Sequence, residues 1–352
     1  MKTGILFILS CLILVSGCYN EDALTPTTEP ESVYSLPQGN HDYDTKIVDW
    51  NKRCEFYILY RFDPKEIYWN LTTWEGLTWR EMDGAYDAST FKGLPAEEVY
   101  VGKQLELVEE EFLNFYPDST LKQLMPIKLL LCSVLWRPSG ADSVDMACRS
   151  GFDYIAVNYG NESVDALTSE ARDELRTEIN AAFLKKATDG QKIRIPEEFA
   201  SISKYGKEST DVNNMYGKGF ICPDGYFGKQ TKEDDWNNYI RAIVSTNYED
   251  LVAEPDPDES LWGDPTFIGI LHPDKDINGF ILKKYQVLIA FFKERYGVDL
   301  QAIGNKMAPV WDDDDSGEDD DDWWNDDNDD WNDDNDDWDD DNDDWDDDFW
   351  GF

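Results

Sequence analysis

The chain has two histidines in 352 residues, His41 and His272, and no His-Glu-x-x-His anywhere. Hydrolysis by a zinc-bound water usually rests on that spacing, because His at i and i+4 share one helix face and the Glu between them takes the proton. Cysteines are also sparse. Cys11 and Cys18 lie near the N-terminus, and Cys54, Cys132, Cys148 and Cys222 show no CxxC spacing, which argues against a thiolate metal site. Disulfides and buried free thiols both fit the remaining four. No apolar run is long enough to span a bilayer: Ile5 to Val15 is eleven residues, against roughly 20 needed for a helix. Positive charge is scarce as well. The formal net charge is −44. Nucleic acid is therefore excluded as a partner, since binding it requires Lys and Arg to neutralise phosphates. Cations are the electrostatically suitable partners.

The acidity is uneven. Twenty-five of the 75 acidic residues lie between Asp312 and Phe352, where there is no Lys or Arg, leaving 50 acidic against 31 basic residues elsewhere. In this tail Trp324, Trp331, Trp338 and Trp345 recur every seven residues among Asp and Asn. Asp–Asp repulsion and poor helix propensity oppose a coiled seam, so residues 306–352 are expected to be a disordered acidic low-complexity tail. Three roles remain open for it: a solubility tail, a Ca²⁺-binding segment using carboxylate oxygens, and an adhesive segment whose rings stack on sugars.

At the other end, Lys2 and the apolar run read as a secretory signal peptide over residues 1–17. The run closes in Val15-Ser16-Gly17-Cys18, which resembles a bacterial lipobox, and the resemblance implies a lipid on Cys18 that holds the chain to a membrane. An ordinary cleaved signal with an incidental Cys is the plainer reading. Tyr19-Asn20-Glu21-Asp22 resembles the acidic surface-export signal of Bacteroidota lipoproteins, or is simply solvated linker. Together these features predict an outer-membrane, lipid-anchored protein at the cell surface. Residues 18–41, rich in Thr, Pro, Glu and Ser, are expected to be a flexible tether, with His41 doing nothing specific in it.

Residues 42–305 read as the folded unit. Strands are expected at 56–62, 127–135 and 152–159, and helices at 94–115, 167–190, 234–245 and 280–296. In the helix after Thr168, Leu167, Ala171, Leu175, Ile179, Ala182 and Phe183 keep a three- and four-residue step. Thr168 suits its N-cap, Lys185 and Lys186 its C-terminal end, and Gly190 its stop. Strands followed by helices point to an α+β domain. His272, in Leu271-His272-Pro273-Asp274, is expected in a turn as a structural residue.

Four segments carry a likeness: Tyr57-Ile58-Leu59-Tyr60-Arg61-Phe62-Asp63, Ile195-Pro196-Glu197-Glu198-Phe199 with Ile202-Ser203, Gly219-Phe220-Ile221-Cys222-Pro223, and the helix running into Tyr296-Gly297-Val298-Asp299-Leu300. In order and spacing they resemble the zinc-binding metallopeptidase family of Bacteroidota lipoproteins. The resemblance implies a zincin-like α+β fold, with a zinc-binding helix at Glu178 to Lys185. There Glu178 stands for the first His, Ile179 for the general base, Ala182 for the second His and Lys185 for the third. The family's later acidic segment falls on Asp234 to Asn238, with Asp235 kept and Asn238 in place of the final acid. With these substitutions no zinc is expected, and the chain reads as an inactive homologue that binds a peptide, a glycan or a surface protein. Two alternatives stand beside it: an active hydrolase with an atypical or misaligned site, for which Glu178 and Asp235 would form a carboxylate pair, and a structural component of a surface nutrient-uptake assembly.

Overall fold

The computed structural model describes residues 34–68, 92–139, 142–225, 228–256 and 266–307. The expected signal peptide, Cys18 and the expected tail from residue 308 onward lie outside the described residues, while Lys306 and Met307, placed in that tail, pack on the domain. Thirteen residues before the first strand form helix α1 (Asp42–Cys54). Its Ile47, Trp50 and Cys54 recur on the buried face, with Asp42 and Asp44 in the first turn and Lys52 and Arg53 in the last. The sequence reading passed over this helix, although all of those signals are local.

The sheet is mixed. Strand β1 (Tyr57–Leu59) and the later β6 (Tyr154–Val157) both run parallel to the central β3 (Lys128–Ser139). Strand β5 (Cys148–Ser150) pairs antiparallel with β6 and ends that path. The second half of β3 takes antiparallel partners instead, β2 (Lys92–Pro95) and β4 (Asp142–Asp145). Both faces are covered. Leu129 and Leu131, with Ile155 and Val157, enter the main core, while Leu130, Cys132, Tyr154 and Ala156 form a smaller one behind it with Leu59 and Ile67. That alternation is the two-residue period of a strand, and burial on both faces explains why β3 reads as an unbroken apolar run.

Helices α2 (Lys65–Tyr68), α3 (Val101–Glu111), α4 (Asp118–Leu124), α5 (Ser169–Asp189), α6 (Glu197–Ala200), α7 (Lys232–Ser245), α8 (Tyr248–Val252), α9 (Phe280–Tyr296) and α10 (Leu300–Gly304) complete the order. The Thr168 hydroxyl accepts from Ala171 N at 3.2 Å and starts α5, as its sequence predicts. Thr231 and Asp234 cap each other at the start of α7 through Asp234 N to Thr231 Oγ1 (3.1 Å) and Thr231 N to Asp234 Oδ2 (3.1 Å). Phe183 of α5 lies edge-on to Phe112 and Tyr116, with ring centroids 5.1 and 4.9 Å away. A fully buried ring of this kind contributes about 1.5–3 kcal/mol.

Four expectations need correction. The helix expected over 94–115 is shorter, because Leu94 and Pro95 pair with β3 as a strand and helical geometry begins only at Val101. The strand expected over 152–159 stops at Val157, because Tyr159 adopts a φ of 74°. The boundary placed at residue 42 lies earlier. Gln38 Oε1 accepts from Tyr60 N at 2.9 Å, and Tyr34 Oη donates to Glu66 at 3.0 Å, so residues from Tyr34 onward pack on the domain. His41 is not idle either: its backbone N donates to Asp44 Oδ2 at 2.8 Å at the start of α1, and its ring stacks on Tyr43.

Candidate functional site

Helices α5 and α7 pack against each other, and α5 also packs on the edge strand β5. The four motif positions on α5 divide between two faces. Glu178 and Ala182 are half-buried and Lys185 is exposed, on one face at the i, i+4, i+7 spacing. Ile179, which the resemblance set at the general base, points the other way and is fully buried in the main core.

Glu178 does not present a free carboxylate. Arg241 of α7 donates to its Oε1 across the helix pair. Lys185 pairs with Asp189 one turn on, at 2.6 Å. Beneath this face lies Cys148 of β5, a buried thiol that feels the charges of Glu178, Arg241 and Glu174. Burial pushes that thiol far up, so it stays protonated and is a poor nucleophile. Burial likewise lifts the hydroxyl of Tyr159 to about 12, helped by the nearby negative charges of Glu174 and Asp145. A left-handed φ is unusual for a bulky residue, and it swings Tyr159 out of the β6 strand line at its C-terminal end.

A zinc ion does not fit this donor set. Of the four α5 positions one is held by a guanidinium, one is a core isoleucine, one is alanine and one is a lysine. Among the described residues no three His, Cys, Asp or Glu converge as a metal site.

Asp235 has a different fate. It lies near the start of α7, in the interior, and its Oδ2 is 2.5 Å from Lys284 Nζ of α9, the side chains being 1% and 0% exposed. Tyr205 Oη donates to the same oxygen at 2.7 Å. Lys284 Nζ also donates to Gly219 O at 2.7 Å, which Tyr239 Oη reaches at 3.0 Å. Burial raises the carboxyl of Asp235 against the pull of Lys284, and burial lowers the ammonium of Lys284 against the pull of Asp235. Both shifts favour the uncharged forms. Asn238, one turn further along α7, is only half-buried and makes a weak 3.4 Å contact with Gln230. The carboxylate pair considered for Glu178 and Asp235 is therefore not formed as such: one is tied to Arg241, the other to Lys284.

His272 sits in the expected turn, where its Nδ1 accepts from Asp274 N at 3.3 Å. Cys54, Cys132 and Cys148 are buried thiols without a disulfide partner. Two shallow surface hollows, of about 350 and 370 Å³, lie away from Glu178 and Asp235. Sequence reasoning missed Arg241, Lys284 and Tyr205. Lys284 carried a signal, since a lysine on the apolar face of α9, between Ile281 and Leu288, has to find an acceptor inside.

No protein-family model matches the chain, and no curated protein does. Among solved structures it is similar to a Bacteroides caccae protein provisionally named a zinc-binding metallo-peptidase. The two are 11% identical, the match covers 74% of this chain and 89% of that one, and the TM-score is 0.41.

Proposed function

We propose that this chain is a lipid-anchored surface protein whose α+β domain binds an extended peptide without cleaving it. The observation that carries the reading is the Arg241–Glu178 pair on the α5–α7 surface beside β5. A carboxylate with one oxygen taken by a guanidinium is a poor ligand for a cation, and the neighbouring thiol is protonated. What this face still offers is a strand end. Strand β5 terminates its path in the sheet, and among the described residues its outer edge pairs with no strand. An extended chain can add there through backbone hydrogen bonds, with Glu174, Glu178 and Arg241 near enough to select its charges. The lipobox-like Cys18 and the acidic export-like segment support the address.

The test is incubation of the full chain with a mixed peptide library, with and without a chelator. Retention of uncleaved peptides, insensitive to chelator, is expected. Cleavage that the chelator abolishes would establish the hydrolase instead. Capture of a stable membrane partner, undiminished by saturating peptide, would favour the structural role.

A further inference from the structure

We propose that Lys284 and Asp235 condense in the folded protein to an isopeptide bond that ties α9 to α7. The inference is independent of the binding reading. Three observations carry it. First, Nζ lies 2.5 Å from Oδ2, with both side chains closed to solvent. A nitrogen held that close to one carboxyl oxygen is within reach of the carboxyl carbon, and the fold fixes the approach in advance. Second, the surroundings are dry. The rings of Phe199, Phe220, Tyr239 and Tyr205 all lie between 4.7 and 5.7 Å from Nζ. Exclusion of water favours uncharged reactants and opposes hydrolysis of the product. Third, every polar neighbour suits a role. Tyr205 Oη donates to Oδ2, Gly219 O accepts from Nζ, and Oδ1 has no hydrogen-bond partner.

The step is a condensation. One proton passes from the Lys284 ammonium to Asp235, giving an amine and a carboxylic acid. The burial of both groups, which disfavours their charged forms, assists this transfer. The Nζ lone pair attacks Cγ. The proton sits on Oδ2, the oxygen that Nζ reaches, and Oδ1 remains as the carbonyl oxygen. Oδ2, hydrogen-bonded by Tyr205, departs as water after taking one further proton from Nζ. The Nζ–Cγ bond forms, the Cγ–Oδ2 bond breaks, and no atom is oxidised or reduced. The N–H left on the amide retains Gly219 O as its acceptor.

A trypsin digest of the unfolded full chain reads the result directly. An amide on Lys284 blocks cleavage after it, so the bonded protein yields one branched peptide joining 233–241 to 284–293, lighter than the two parts by one water. Linear 233–241 and 285–293 in full yield would overturn the proposal. So would a loss of one water that maps to an aspartyl-glycine succinimide, at Asp83-Gly84, Asp189-Gly190 or Asp224-Gly225, without the branched peptide. Asp235→Ala and Lys284→Ala should each abolish the branched species; if either fails to fold, the digest of the unmutated chain still decides.

Discussion

Gln104 offers the sharpest test of how the sheet is held beneath the candidate site. It sits on α3 with 0% exposure, and its Nε2 lies 3.1 Å from Cys132 O, 3.0 Å from Val157 O and 2.7 Å from Asn158 O. Two N–H groups thus serve three carbonyls, one within β3 and two at the end of β6, next to Tyr159. Leucine has a similar size and no donor. In Gln104→Leu the Cys132 carbonyl keeps Gly160 N at 2.7 Å and the Val157 carbonyl keeps its place in the β3–β6 ladder, but the Asn158 carbonyl is left short. At about 1–3 kcal/mol for the Asn158 carbonyl and about 0.5–1.5 kcal/mol for each of the two other hydrogen bonds, the loss is about 2–6 kcal/mol. Gln104 Oε1 is itself buried without a partner, and removing it returns about 1–3 kcal/mol. The net expectation is a loss of about 1–3 kcal/mol. Urea denaturation should show a lower midpoint with an unchanged slope. Gln104→Glu should cost more, because a carboxylate would face three carbonyls. A Leu variant as stable as the parent, or a Glu variant more stable than the Leu one, would refute this account.

Three further outcomes are expected. Burial pushes the Asp44 carboxyl up, but hydrogen bonds from His41 N, Tyr60 Oη, the His41 ring and Gly39 N outweigh it and hold it below its ordinary value. Its stabilisation is thus present above the unfolded value of about 3.9 and is lost as pH falls through the folded one, so Asp44→Asn should flatten the stability–pH curve below about pH 5 in acid-denaturation experiments. Gly304 packs so tightly that a Cβ would meet Ile243 O at 2.1 Å and Thr246 O at 2.4 Å, both backbone. Gly304→Ala should therefore lower stability by about 1–3 kcal/mol, seen calorimetrically as a drop in Tm, and an unchanged Tm would contradict the packing. The Arg241–Glu178 pair is 46% and 37% exposed, so Arg241→Ala should change stability by less than about 1 kcal/mol while weakening capture of peptides in the library assay.

Long periodic elements were legible in the sequence. Helix α5 kept its cap and stop, and α9 spans 280–296 as its pattern demands. The buried strands β3 and β6 announced themselves by apolar runs. Short elements were not legible. Leu94 and Pro95 belong to a strand only because β3 offers them a ladder, and no local signal separates them from the helix that follows. Tyr159 breaks its strand with a backbone angle that its residue type gives no reason to expect.

The candidate site divides the same way. That α5 carries no His-Glu-x-x-His spacing is a property of the chain read in one dimension, since a helix fixes which residues share a face. The charge imbalance is likewise written in residue types. The partners of Glu178 and Asp235 are not. Arg241 is 63 residues from Glu178, and Lys284 is 49 from Asp235. Only packing of α5, α7 and α9 brings a cation to each carboxylate, and only burial makes one pair an exposed surface contact and the other a dry, reactive one.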